Sequence, residues 1–253
     1  MTLTTLRAAL PGRGDAMPTN VLTRAVEVDP GHLARYSRVC GYTVGEALPA
    51  AYPHVLAFPL HMDLLAASPF SALGVVHIAN RIVQHRPLSL GETLELRVHA
   101  SALEPHRRGR TFDFVSEAYA GGELAWEGFS TMLKRGGGDE SAPREEPLEP
   151  PPVTARWPLA DDLGRRYAAV SGDRNPIHMH GLAAKALGFP RAIAHGMWAK
   201  ARCLAALRLP DAFEADVRFR KPILLPSTVT FGEADGRFAV HGHLDGTCTA
   251  SST

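Results

Sequence analysis

Cysteine is scarce in this chain, and what there is does not suit cross-linking. The 253 residues contain 3 cysteines, Cys40, Cys203 and Cys248, an odd number, far apart, with no paired metal-ligand spacing. That excludes a disulfide framework and points to free thiols in a reducing, cytoplasmic compartment. Long apolar runs are lacking too. No stretch approaches the roughly 20 apolar residues that span a bilayer, and the opening MTLTTLRAALPGRGD has one arginine and too short an apolar run for a signal peptide. Charge of either sign is nearly balanced at +1, which gives no case for nucleic acid or a membrane surface as the main partner. Glycine-rich phosphate-cradling patterns are absent, and with them the usual sign of a dinucleotide cofactor.

What remains is a globular composition, 45% hydrophobic and 21% charged, on a length that suits one large or two ordinary domains. An irregular arm or an edge strand is expected around Val21–Val28, and a short helix at His32–Val39. Leu60, Leu64 and Leu65 suit a buried helix from about Pro59 to Ala67, with the proline in its first turn. Val76–Val83, Glu92–Leu103, Arg110–Tyr119 and Glu123–Lys134 then read as strands between Gly and Pro breaks. The stretch 136–152, GGGDESAPREEPLEPPP, combines glycine, proline and charge and reads as a linker. Beyond it, helices are expected over 161–170, His178–Leu187 (with Gly188 as cap) and Gly196–Leu207. Strands follow over Phe213–Lys221, Thr228–Glu233, Arg237–Leu244 and Thr247–Ser252.

The two halves repeat. At an offset of 135, Arg86-Pro87-Leu88 lies over Lys221-Pro222-Ile223, Thr93 over Thr228, and His61-Met62 over Gly196-Met197. With a small gap, Tyr36–Gly41 lies over Tyr167–Gly172. Each half is therefore a helix followed by strands. The division expected is 1–135, a linker at 136–152, and 153–253. The second half's closing strands are short, so its sheet edge is expected to lean on the first half or on another copy of the chain, as in a homodimer.

One stretch concentrates the polar chemistry. Tyr167–Trp198 holds SGDRNPIH followed by GFPRAIAHGM, with Asp173 and His178 on either side of Asn175-Pro176 and a glycine, Gly196, opening an apolar helix. The repeat lacks all three groups: Tyr42 stands at the place of Asp173, Ala47 at that of His178 and His61 at that of Gly196. This two-part motif resembles the MaoC-like dehydratases, the (R)-specific enoyl-thioester hydratases of the hot-dog superfamily. The resemblance implies an α+β fold of the double hot-dog type, two tandem units each with a central helix wrapped by an antiparallel β-sheet. The loss of these groups from the first repeat points to one active site, in the C-terminal unit, with the first half expected as support and as a wall of the substrate channel.

The residues suit that chemistry. Adding water to an enoyl thioester requires deprotonating water, protonating the α-carbon and stabilising charge on the thioester oxygen. A histidine exchanges protons near neutrality, and a carboxylate beside it can hold the same water. Pro176 fixes its own φ and keeps Asn175 out of helical geometry, which stiffens the turn. The resemblance assigns the catalytic dyad to Asp173 and His178, with Asn175 orienting it. The N–H groups at a helix start, with Gly196 allowing close approach, offer an oxyanion site. Three imidazoles of the H-x-H pairs His178/His180 and His241/His243 with His195 could hold zinc. Residues two apart on a helix do not share a face, however, and no metal is expected. His195 is expected to orient the glycine turn through a backbone bond and to border the substrate.

Arg218, Arg220 and Lys221 are the favoured contacts for the phosphates of coenzyme A or of an acyl-carrier protein's phosphopantetheine, which belong to the substrate and are not separate cofactors. The group His106, Arg107, Arg108 and Arg110 is the other candidate. The expected activity is reversible syn hydration of trans-2-enoyl thioesters to (R)-3-hydroxyacyl thioesters in fatty acid metabolism. A hot-dog thioesterase is the alternative from another reaction class, and its usual carboxylate on the central helix is missing from MWAKARCLAAL. A non-catalytic acyl-binding subunit is the third reading.

Overall fold

A computed structural model describes residues 16–68 and 74–251 of the chain. The first half supplies β1 (Leu22–Glu27), α1 (Pro30–Cys40), α2 (Tyr52–Ala67), β2 (Val75–Gln84), β3 (Thr93–Ala100), β4 (Glu104–His106), β5 (Gly109–Ala120) and β6 (Glu123–Arg135). The second supplies β7 (Val153–Leu159), α3 (Leu163–Ser171), α4 (Pro176–Met179), α5 (Gly181–Ala186), α6 (Gly196–Leu204), β8 (Phe213–Phe219), β9 (Ser227–Ala234), β10 (Arg237–Val240) and β11 (Leu244–Ala250). The residues before 16 and the last expected residue of the closing strand, Ser252, lie outside the described residues.

All strands join one antiparallel sheet in the order β1-β3-β5-β6-β2-β8-β11-β10-β9-β7, with β4 beside β5. Read from the middle outward, β2 answers to β8, β6 to β11, β5 to β10, β3 to β9 and β1 to β7. The repeat seen in the sequence is thus a two-fold relation about the β2–β8 pair, and α1 and α3 correspond as well: each ends at a left-handed glycine, Gly41 at φ 82° and Gly172 at φ 77°, a position that residues with a Cβ avoid.

Each half wraps its sheet around a central helix. In β5 buried and half-buried residues alternate, which places Phe112 and Phe114 under α2 beside Leu94, Leu96 and Val98 of β3. Helix α2 is apolar almost all round and meets both strands, as a helix enclosed by a sheet must. Phe213, Val217, Phe231 and Phe238 form the matching floor under α6. Each such side chain contributes roughly 1.5–3 kcal/mol by leaving water.

Several expectations need correction. Helix α2 begins at Tyr52 rather than Pro59, because Pro53 takes the first-turn position and Pro59 lies inside. The interior proline gives up one backbone bond, which the surrounding apolar contacts offset. The helix expected over His178–Leu187 is broken at His180, whose backbone is extended at φ −147° and ψ 136°. Helix α3 starts at Leu163 without a side-chain cap from Asp162, and α6 ends at Leu204 rather than Leu207.

Residues 136–152 form neither helix nor strand, yet they are strapped down. Arg107 Nη1 donates to the Glu140 and Ala142 carbonyls, the Pro151 carbonyl lies 2.9 Å from His241 Nε2, and Glu145 pairs with Arg218 and Arg220.

One buried lysine stitches the seam between the halves. Lys200 of α6 is 0% exposed and donates to the Asn80 carbonyl at 2.9 Å, Asn80 Oδ1 at 2.7 Å and the Ala215 carbonyl at 2.9 Å. Asn80 lies on β2 and Ala215 on β8, so an ammonium's three donors are all used across the junction. Burial, above all, pulls its pKa down, while Asp216 works in the opposite direction. Lys200→Ala should lower unfolding free energy by about 3 kcal/mol, since it strands three buried acceptors. Urea unfolding checks this, and an unchanged midpoint would show that the stitch contributes nothing.

Candidate active site

The turn after α3 builds the site. Gly172 ends that helix, Ser171 Oγ accepts from the Asp173 N–H, and Asp173 Oδ1 accepts from the Asn175 N–H at 3.1 Å. Asn175 Oδ1 in turn caps α4 through the Ile177 N–H at 3.3 Å. Asn175 therefore shapes the turn locally, as a cap residue does, and Pro176 follows in the first turn of α4.

His178 is turned inward, and its ring is fixed at one pole. Its Nδ1 lies 2.8 Å from the Ile193 carbonyl. A carbonyl only accepts, so Nδ1 carries the proton and neutral His178 keeps its lone pair on Nε2. Nε2 lies 4.0 Å from Asp173 Oδ2. The gap is too long for a direct bond and fits one water that donates to both. Burial, chiefly, pushes His178 below the usual histidine value, against the pull of Asp173 and the Ile193 carbonyl. For Asp173, burial acts to raise the pKa, but His195, His178 and the Asn175 N–H outweigh it and leave the carboxyl below its ordinary range. At neutral pH the pair is a carboxylate beside a neutral imidazole.

His195, 3% exposed, sits at the N-cap of α6. Its Nε2 lies 3.0 Å from the Asp173 main-chain carbonyl and its ring stacks on His178 at 3.7 Å. The backbone bond expected of His195 is made to the Asp173 carbonyl, so it ties the start of α6 to the aspartate turn. Burial, first, and His178 lower it to about 3. Asp173, His178 and His195 bring ligand atoms within 4.8 Å of one another, the spacing of a three-ligand metal centre. Imidazole lone pairs lie in the ring plane, though, and these two rings are 24° from parallel, with His195 Nε2 already on a carbonyl. The arrangement suits a water better than an ion.

Gly196 opens α6, and no side chain caps that helix, so its first N–H groups are available to an oxygen anion. A Cβ at Gly196 would stand 3.1 Å from the Phe219 ring, which gives this glycine a packing reason beside the chemical one. In the first half the matching residue, His61, lies in the interior of α2. It points under the helix, 2.7 Å from Ser116 Oγ and stacked on Phe114 at 4.8 Å. The continuous helix is what denies the first half an open N-terminus at this position.

Two of the three basic residues proposed for phosphate have acidic partners. Arg220 binds both oxygens of Asp245, at 2.7 and 3.0 Å, Arg218 pairs with Asp216 and Glu145, and Lys221 is exposed. Of the second basic group, Arg107 is turned to the strap.

Sequence reasoning missed Gly164. Its Cα approaches so closely that a Cβ would come 2.0 Å from the His178 carbonyl. A glycine one residue into a helix was the available signal.

Comparison with known proteins fits this geometry. The MaoC like domain family profile matches residues 140–237, which include Asp173, His178 and Gly196. The 3-hydroxyacyl-thioester dehydratase X of Mycobacterium tuberculosis is 39% identical over 234 residues, covering 88% of this chain and 83% of that protein. The chain belongs to the MaoC-like dehydratases. Two crystal structures of HtdX from the same organism superpose at TM-scores of 0.80 and 0.81 and 36% identity, covering 92% of this chain and 100% of those. A MaoC-like dehydratase from Phytophthora capsici shares the fold, at TM-score 0.76 and 18% identity, over 93% of this chain and 96% of that one. This MaoC-like protein is accordingly a hydratase/dehydratase enzyme of the hot-dog fold. Among its described residues, no helix is long and apolar enough to cross a membrane.

Two predictions follow from the geometry. Gly164→Ala should displace α4 and lower kcat/KM at least about tenfold, because small misplacements of reacting groups are costly; an unchanged value in steady-state assays would refute the contact. If the reaction uses neutral His178, the acid limb of kcat/KM should have its midpoint below 6.5, because burial lowers this histidine. An acid limb with its midpoint above 6.5 would contradict the lowered value.

Proposed function

We propose that this enzyme adds water reversibly to trans-2-enoyl thioesters, forming (R)-3-hydroxyacyl thioesters. The observation that carries the reading is the 4.0 Å separation of His178 Nε2 and Asp173 Oδ2, with His178 Nδ1 held by the Ile193 carbonyl, beside the uncapped start of α6. A water donating to both groups has its oxygen lone pairs left for the substrate β-carbon. As that oxygen adds, His178 Nε2 takes a proton, and the Asp173 carboxylate stabilises the imidazolium. His178 then returns the proton to the α-carbon. Both additions come from the side on which the dyad stands, so hydroxyl and hydrogen add syn, and the (R) outcome follows from the face presented to it.

The Gly196 end of α6 accepts the charge that builds on the thioester oxygen. One such donor is worth about 2.7–4 kcal/mol of barrier. Asn175 and His195 act through the dyad, as positioning residues. The thioester carrier, coenzyme A or an acyl-carrier protein, supplies the handle of the substrate. The name of the 39%-identical relative, a 3-hydroxyacyl-thioester dehydratase, supports this substrate class. Helix α6 carries no carboxylate, which speaks against thioester hydrolysis from the central helix.

Incubation with crotonyl-CoA and a longer enoyl-CoA tests the reading when enone absorbance and free thiol are followed together. Absorbance should fall without thiol release; thiol release would make the protein a thioesterase. Asp173→Asn and His178→Ala should each reduce kcat/KM by about 100-fold or more with an unchanged circular dichroism spectrum. A variant retaining near wild-type rate would remove its residue from the mechanism.

A further inference from the structure

A line of rings leaves the catalytic centre and runs into the half without a dyad. Phe219 of β8 lies where a Gly196 Cβ would meet it. His77 of β2 is edge-on to Phe219 at 5.1 Å, His54 is stacked on His77 at 6.0 Å, and His61 follows His54 at 5.2 Å. His54 and His61 are 6% and 2% exposed, so the line runs away from solvent. A carrier-bound substrate has two ends beyond its thioester. The pantetheine arm must return to solvent, so the acyl tail is the part that can follow a line leading inward.

Burial, above all, and the Lys200 ammonium hold the His77 pKa down at about 4, while a main-chain bond to Ala79 and the Asp173 carboxylate draw it upward. His77 is therefore neutral in the working enzyme. A main-chain bond that favours the protonated ring is one to a carbonyl, and Nε2 is the buried ring atom with no partner. A proton on Nδ1, where that bond would hold it, leaves a lone pair on Nε2. A buried acceptor left without a donor costs about 1–3 kcal/mol, and it is the kind of atom by which a site tells a hydroxyl-bearing ligand from one without it. His61 has Ser116 and His54 has Ser130 as hydroxyl neighbours. His77 has none.

We infer that His77 is a specificity-determining residue contributed by the first half, and that its Nε2 accepts a hydrogen bond from a hydroxyl group on the acyl tail of the substrate. The preferred substrates are enoyl thioesters already hydroxylated farther along the chain, so the reaction that supplies them leaves a reduced oxygen on a distal carbon. This rests on the enoyl-thioester reading above.

The test compares kcat/KM for trans-2-octenoyl-CoA with that for octenoyl-CoA carrying one hydroxyl at carbon 5, 6 or 7, and with the matching ketones. The wild type should favour one of the hydroxylated chains about tenfold, as one buried hydrogen bond allows, and should not favour its ketone. His77→Phe should abolish that ratio. His77→Gln, which keeps an acceptor and is the milder change should the aromatic variant fail to fold, should retain part of it. Hydration of octenoyl-CoA with no preference for any hydroxylated chain, or a preference that survives His77→Phe, overturns the inference and leaves the hydratase reading intact. Failure to hydrate any of these thioesters removes both.

Discussion

The hydrogen bond from His178 Nδ1 to the Ile193 carbonyl fixes the imidazole on which the proposed chemistry rests. It decides which nitrogen of the imidazole is basic and which way that nitrogen faces. The carbonyl is itself fixed: the Ile193 N–H donates to the Ile177 carbonyl at 3.1 Å, the Ala194 N–H to Ile223 and the Leu225 N–H to Ala192. The segment before α6 is thereby tied both to the one-turn helix that carries His178 and to the strand-like stretch before β9. The close contact at Gly164 presses the same short helix against α3. A ring on a helix of one turn would have little intrinsic order; here it is held by the segment before α6 on one side and by α3 on another.

The second organising constraint is the β2–β8 pair. Antiparallel pairing there makes one sheet of two units, and Lys200 satisfies its three donors across it. The same junction brings β2 of one half beside β8 of the other, which is how a histidine from the half without the dyad comes to stand near Phe219 and Gly196. Division of labour between the halves is written into the strand order.

Much of this was legible in the sequence, and the reason is locality. The D-x-N-P-I-H turn builds its own geometry from near neighbours, through Asn175, Ser171 and Pro176, so its residue types announce its shape. The glycines that close α1 and α3 and the repeat of strands are local features as well. What escaped reading depends on partners remote in sequence. The pole of His178 is set by a main-chain carbonyl, which has no residue signature. Gly164 matters because of the chain that crosses it. Arg218 and Arg220 look like free phosphate ligands until Glu145 of the strap and Asp245 of β11 are placed beside them. The start of α2 was misplaced because Pro59 resembles a first-turn proline, and only the enclosing sheet explains its toleration inside.

The strap and the seam also bear on how such an enzyme can change. Two identical single units that pair to form the same sheet would share one coding sequence, and any substitution would strike both copies of the site at once. Joining them in one chain ends that coupling. Tyr42, Ala47 and the uninterrupted α2 could then stand in one unit where the other keeps an aspartate turn, a histidine and an open helix end, and the surface so released would be open to other uses.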